Sequence, residues 1–149
     1  MNQENAGVLY IDDAVSRLDD FKNLFGKSLN VFTAQSVVIA RSILAQHEVG
    51  VMMISQLMPG TGGLSFFEST AQSYPRVIRI LLTGFPGEEG VFEAMNNGLI
   101  YACLPKPWQN QNIKQVLKNA LEVYYLRKHN IELTYKLYEA TYELTKVHK

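Results

Sequence analysis

Gly7-Val8-Leu9-Tyr10-Ile11-Asp12-Asp13 is an unbroken apolar run that ends at two adjacent carboxylates. Apolar residues that do not alternate with polar ones suit a strand covered on both faces, as in a parallel sheet flanked by helices. The design recurs further along. Val49 to Ile54 ends in Ser55, followed by Met58-Pro59-Gly60; Val77 to Leu82 runs into Thr83-Gly84; Ile100 to Leu104 runs into Pro105-Lys106-Pro107. Asn30 to Ala34, with Val31, Phe32 and Thr33, has the least marked pattern of the set.

Between these runs the apolar period changes from continuous to helical. Ser16 to Phe25 places Leu18, Phe21, Leu24 and Phe25 on one face with Ser16 as its cap, and Ser36 to Gln46 repeats this with Val37, Ile39, Ala40, Ile43 and Leu44. Leu64 to Tyr74 presents Leu64, Phe67 and Ala71 and is closed by Pro75. Glu88 to Asn97 presents Val91, Phe92, Ala94 and Met95, with Glu88 and Glu89 at its positive end and Gly98 as its stop. Strand and helix in strict alternation predict an α/β fold, an open parallel sheet with helices on both faces. Functional groups in such sheets collect beyond the carboxyl ends of the strands, where Asp12, Asp13, Ser55, Thr83 and Lys106 all fall.

Size and charge narrow the class. The 149 residues suffice for one domain and an appendage, and 14 basic against 14 acidic side chains leave no bulk charge to attract nucleic acid or a membrane surface. No apolar run approaches the roughly 20 residues of a membrane span, and Met1 to Ala6 lacks the features of a signal peptide. A single cysteine makes no internal disulfide, so a cytoplasmic setting is expected. His47, His129 and His148 are scattered without metal-ligand spacing.

The strand-end residues share a phosphate chemistry. Adjacent carboxylates can hold a hard cation such as Mg²⁺, a lysine can neutralise phosphoryl oxygens, and a threonine hydroxyl can donate to them. The nucleophile of such a pocket would be a carboxylate attacking phosphorus to give an acyl phosphate. At position 55 the chain has serine instead.

From Gly7 to about Leu126 the sequence resembles the receiver domain of two-component response regulators, a bacterial phosphorelay family. The matching residues are Val8-Leu9-Tyr10-Ile11-Asp12-Asp13, Met58-Pro59-Gly60 with Gly63-Leu64, Leu81-Leu82-Thr83-Gly84, and Lys106-Pro107-Trp108. The resemblance implies a flavodoxin-like, CheY-like sheet of order 2-1-3-4-5 and a signalling role rather than an enzymatic one. It also implies that the phospho-accepting aspartate, three residues before the Met-Pro pair, is replaced by Ser55. Asp12 and Asp13 are then the remaining metal ligands, with Mg²⁺ held weakly and not required, and Thr83 and Lys106 are the phosphate-pocket residues. A histidine kinase or an output domain is the implied partner. Cys103 stands where the family usually has a switch aromatic, and Tyr101, two positions away, is the nearest one.

Plainer roles exist for several of these residues. With no acceptor, Lys106 serves as a counter-ion to Asp12 or Asp13, Cys103 is a small hydrophobe, and Trp108 packs over the start of the last helix. That helix has Ile113, Leu117, Ala120 and Leu121 facing the sheet and then outruns it. Val123, Leu126, Asn130, Leu133, Leu137, Ala140, Leu144 and Val147 continue in steps of three and four, a heptad seam flanked by Tyr124, Tyr125, Tyr135, Tyr138 and Tyr142. The expected division is a pseudo-receiver at 1–122 and a coiled-coil extension at 123–149. The expected function is a receiver that is not phosphorylated and acts as a homodimeric interaction module. The alternative is a working phosphorelay receiver with another acceptor, or one placed before an output domain of the cyclic-dinucleotide phosphodiesterase type, which the Leu-Leu-Thr-Gly and Lys-Pro-Trp variants resemble.

Overall fold

The computed structural model describes residues 5–56, 62–83, 90–105 and 110–147. Its elements follow in strict alternation: β1 (Gly7–Ile11), α1 (Val15–Phe25), β2 (Val31–Ala34), α2 (Val37–Gln46), β3 (Val49–Ser55), α3 (Gly63–Thr70), β4 (Ile78–Thr83), α4 (Val91–Asn96), β5 (Ala102–Pro105) and α5 (Asn110–Val147). The five strands form one sheet of order β2-β1-β3-β4-β5, and every neighbouring pair is parallel.

β1, β3 and β4 are buried along their whole length, which is why their sequences do not alternate. Successive side chains still point to opposite faces. Leu9, Ile11, Met52, Ile54 and Leu81 join one core with α2, α3 and α4, around Phe66 and Phe67. Val8, Tyr10, Val51, Met53, Ile80 and Leu82 join the other with α1 and α5, around Phe21 and Leu117.

Ser36 caps α2 as expected, its hydroxyl accepting from Ile39 N–H, and Gly98 adopts φ +83° just beyond α4. Other expectations need correction. Ser16 lies inside α1, whose N-cap is Ala14, and the turn is held by the Ala14 N–H donating to Asp12. Leu24, Ile39, Phe92 and Met95 are exposed, because the inward stripes are narrower than the full apolar set and follow Leu18-Phe21-Phe25, Ala40-Leu44 and Val91-Ala94. α3 ends at Thr70 rather than Tyr74. The Ser69 and Thr70 hydroxyls donate to the Phe66 and Phe67 carbonyls, and the Ala71 N–H turns back to Glu68, so the last turn tightens and stops. Glu88 and Glu89 lie outside the described residues.

α5 docks through Ile113, Leu117, Ala120 and Tyr124, all buried. Tyr124, expected on a coiled-coil flank, belongs to the core: its ring lies so close to β3 that a Cβ at Gly50 would come within 3.0 Å of it. Its hydroxyl donates to Glu48 at 2.6 Å, the Lys128 ammonium donates to the same oxygen at 2.8 Å, and together they hold the Glu48 carboxyl below its ordinary pKa. The Tyr125 hydroxyl accepts from Ala6 N–H at 2.7 Å. Contacts with the sheet domain therefore continue past residue 122 to Lys128, along one uninterrupted helix. No helix among the described residues is long and apolar enough to cross a membrane.

Tyr124→Ala is expected to destabilise the fold by about 3–5 kcal/mol through the cavity it leaves. Tyr124→Phe keeps the ring and loses the Glu48 hydrogen bond, at about 1 kcal/mol. Urea denaturation of both variants measures the split, and equal losses would show that the hydroxyl rather than the packing dominates.

Candidate functional site

Register brings the strand-end residues to one rim. Ile11 is level with Ile54, so Asp12 follows beside Ser55; Ser55 pairs with Leu82, and Thr83 with Pro105. Asp12, Ser55 and Thr83 are buried, while Asp13 is exposed. Lys106 lies outside the described residues, as do Met58-Pro59-Gly60, Gly84 and Trp108.

Asp12 is fully buried, and donors surround it. Its Oδ2 accepts from the Tyr10 hydroxyl at 2.6 Å. Its Oδ1 accepts from Ala14 N–H at 3.0 Å and from the Arg17 guanidinium at 3.0 Å. The Tyr10 ring is sandwiched in the α1 core, 4.7 Å from the Phe21 ring, and burial, then the hydrogen bond to Asp12, pushes its pKa far up. Tyr10 is therefore the donor of this pair. Neither Tyr10 nor Arg17 stood out from the sequence as a site residue. The available signals were a phenol two positions before the acid in an apolar strand, and a cation five positions after it on the first turn of α1.

Gln56 was also missed. Its side-chain Oε1 accepts from Leu64 N–H at 3.0 Å, and its backbone N–H donates to Leu82 at 2.9 Å, so the residue after Ser55 ties β3 to β4 and to the start of α3. Cys103 is half-buried against the α2–α3–α4 core, opposite Leu81 in the sheet. Tyr101 precedes β5 and is 39% exposed.

These donors test the fit of Mg²⁺, which prefers several oxygen ligands free to coordinate it. Asp12 has a cation on one oxygen and a hydroxyl on the other, Ser55 offers a neutral alcohol, and Asp13 alone is an exposed carboxylate. The described residues hold no cluster of three or more metal-ligating side chains. This donor set does not fit a firmly bound Mg²⁺.

On α5 the heptad positions separate from the core. Val123 is half-buried against the sheet domain, whereas Leu126, Asn130, Leu133, Leu137, Ala140 and Leu144 are exposed, and Val147 is the last residue of the helix.

Comparison with known proteins agrees with this geometry. The response regulator receiver domain family matches residues 8–118. The chain is 28% identical over 122 residues to the hydrogenase transcriptional regulatory protein HoxA of Cupriavidus necator, a match covering 82% of this chain and 25% of that protein. It thus spans about a quarter of that relative's length. Among solved structures it is similar to the signal receiver domain of an HD domain-containing protein from Pseudomonas fluorescens, with TM-score 0.78, 28% identity and coverage of 87% of this chain and 96% of that one. An adenylate cyclase structure from Rhodopirellula baltica gives TM-score 0.84 at 27% identity, covering 89% and 98% of the two chains. With a buried acid at the end of β1, threonine at the end of β4 and a sheet of order 2-1-3-4-5, the chain belongs to the response regulator receiver domain family.

Proposed function

We propose that this receiver is not phosphorylated and works as a homodimeric interaction module that passes a signal along α5 to an output domain or partner. The observation that carries the reading is the combination of Ser55 at the end of β3 with an Asp12 already held by Tyr10 and Arg17. A neutral alcohol is a poor nucleophile towards phosphorus without a general base, and an acid held by a guanidinium is a weak one. A histidine kinase of the family would find no carboxylate at position 55 to accept its phosphoryl group. In this reading the charge of Lys106, which lies outside the described residues, serves the carboxylates rather than a phosphoryl group, and Thr83 is structural.

The seam supports the dimer. With Val123, Asn130, Leu137 and Leu144 at a, the d positions are Leu126, Leu133, Ala140 and Val147. Leucine at d suits a two-stranded parallel coil, and a single asparagine at a fixes register and dimeric state. Leu126, Leu133, Leu137 and Leu144 are each more than half exposed, an apolar stripe that a soluble monomer tends to avoid. Coupling to an output domain is supported by the relatives: HoxA carries a transcriptional regulatory name, and this chain matches a quarter of it. The cytoplasm is the setting that fits such a module, with no nucleic-acid or membrane contact of its own.

Acetyl phosphate with Mg²⁺ is expected to leave the intact mass of the chain unchanged. A phosphoryl adduct mapped to the rim at Ser55 would refute the reading.

The metal site needs more than its missing carboxylate. Ser55→Asp alone is expected to bind Mg²⁺ poorly by calorimetry, because Arg17 still occupies Asp12. Ser55→Asp with Arg17→Ala should bind at least about tenfold more tightly, the worth of removing one charge-assisted competitor. Equal affinity of the two variants would show that Arg17 does not compete.

Light scattering at tens of micromolar should give a dimer for the chain and a monomer for Leu133→Asp/Leu137→Asp, with the receiver fold retained. Asn130→Leu should tighten association and admit higher oligomers. A monomeric native chain would remove the dimer from the proposal.

A further inference from the structure

The face of α5 that meets the sheet does not end where the sheet ends. Ile113, Leu117, Ala120 and Tyr124, buried against the domain, recur in alternating steps of four and three. The same steps lead on through Lys128, whose ammonium closes on Glu48, to Ile131, Tyr135, Tyr138 and Tyr142. Such steps keep residues on one side of a helix, so these four prolong the docked stripe into the portion that leaves the domain. Ile131 and the three tyrosines are each at least half exposed. One stripe is therefore buried in its first half and uncovered in its second.

The heptad seam does not cover it. With Val123, Asn130, Leu137 and Leu144 at a, Ile131 and Tyr138 are b positions and Tyr135 and Tyr142 f positions, which face outward from a two-stranded coil. Past Lys128 the chemistry of the stripe also changes. Tyr135, Tyr138 and Tyr142 line a groove of about 390 Å³ together with Glu139 and Glu143. Neither carboxylate has an ion-pair partner among the described residues. Glu132 adds a third acid near the start of this stretch, and the single lysine between His129 and Leu144, Lys136, lies at a g position beside the stripe.

We infer that this tyrosine–glutamate face is a docking surface for a cationic helical segment of a partner protein. Phenol faces attract a guanidinium or ammonium, carboxylates beside them neutralise it, and tyrosine is enriched where proteins meet. Charge complementarity fixes the class of the occupant. Three acids, with no cation on the stripe past Lys128, repel nucleic acid and anionic lipid, so neither phosphate-bearing surface fits. Rings at helical spacing along a groove suit a second helix laid beside the first, with arginines or lysines at matching steps of three and four. The occupant then sits next to the sheet domain, on the part of α5 whose root is fixed by Glu48, Tyr124 and Lys128. The inference rests on α5 as the route from this receiver to its partner, but not on the dimer, which uses the other side of the helix.

Calorimetric titration of the full chain tests this with an alanine-rich helical peptide of about 20 residues, long enough to hold its helix, that carries arginines along one face. The same peptide with glutamates in their place is the control. The arginine peptide is expected to bind saturably and the glutamate peptide not at all. Tyr135→Gln/Tyr138→Gln/Tyr142→Gln, which keeps good helix formers at exposed sites, should weaken binding at least about tenfold, the worth of two or three exposed cation–π contacts. Light scattering on the same samples should show the oligomeric mass unchanged by these substitutions. Leu133→Asp/Leu137→Asp should still bind the peptide, so loss of the dimer and loss of this surface are separate results. No saturable binding, equal binding of the two peptides, an affinity unchanged without the tyrosines, or loss of binding in the leucine variant overturns the inference. A change in oligomeric mass without the tyrosines also overturns it, by making the stripe a contact between copies of this chain.

Discussion

A strand covered on both faces has no side that can carry a charge cheaply, and β1, β3 and β4 impose that condition on the whole centre of the molecule. Polar residues are pushed to the strand ends, where helix starts and neighbouring side chains can supply partners. Asp12, Ser55 and Thr83 cluster for this reason, on the rim formed by the carboxyl ends. Arg79 is the exception at the other end of β4. Its cost is only partly offset by the Tyr74 carbonyl.

The rim solves the burial of Asp12 with protein donors. A carboxylate with no exposure needs hydrogen bonds and a nearby cation, and Tyr10, Ala14 and Arg17 provide both. The same three contacts use the oxygens that a receiver would turn towards metal. Serine at position 55 and the Arg17 contact to Asp12 are mutually consistent: each leaves fewer uncommitted carboxylate oxygens on the rim. Tyr10 reinforces this, since its hydroxyl arrives from the α1 core and cannot be withdrawn without repacking against Phe21.

The fold was legible because its signals are redundant. Five apolar runs, their bounding acids and turns, and the helical periods between them all pointed to one parallel sheet, and the strand order followed from the family resemblance. What escaped was local hydrogen bonding. The Ala14 N–H that closes on Asp12, the Ser69 and Thr70 hydroxyls that stop α3, and Gln56 tying Leu64 to β3 all depend on side-chain rotamers that periodicity does not encode. Helical period also overstated burial: Phe92 and Met95 sit on the edge of the α4 stripe, and only Val91 and Ala94 face the core. At the site, the acids and Ser55 could be read from motif spacing, whereas Tyr10 stood in its motif as one more residue of the apolar run, Arg17 stood in none, and the roles of both became visible only through distance.

α5 joins these themes because two of its faces have different tasks. Ile113, Leu117, Ala120 and Tyr124 mark the face that meets the sheet, and Gly50 lets that face approach closely. Val123, Leu126, Asn130 and Leu133 run along a face offset by roughly a third of a turn. A partner helix on the second face would leave the Tyr124–Glu48–Lys128 contacts undisturbed. Association through the proposed seam thus requires no undocking of the helix from its own domain. The helix is continuous from Asn110 to Val147, so the docked and the exposed portions are one element. The contacts around Glu48 attach the helix to its own domain at the point where it leaves the sheet.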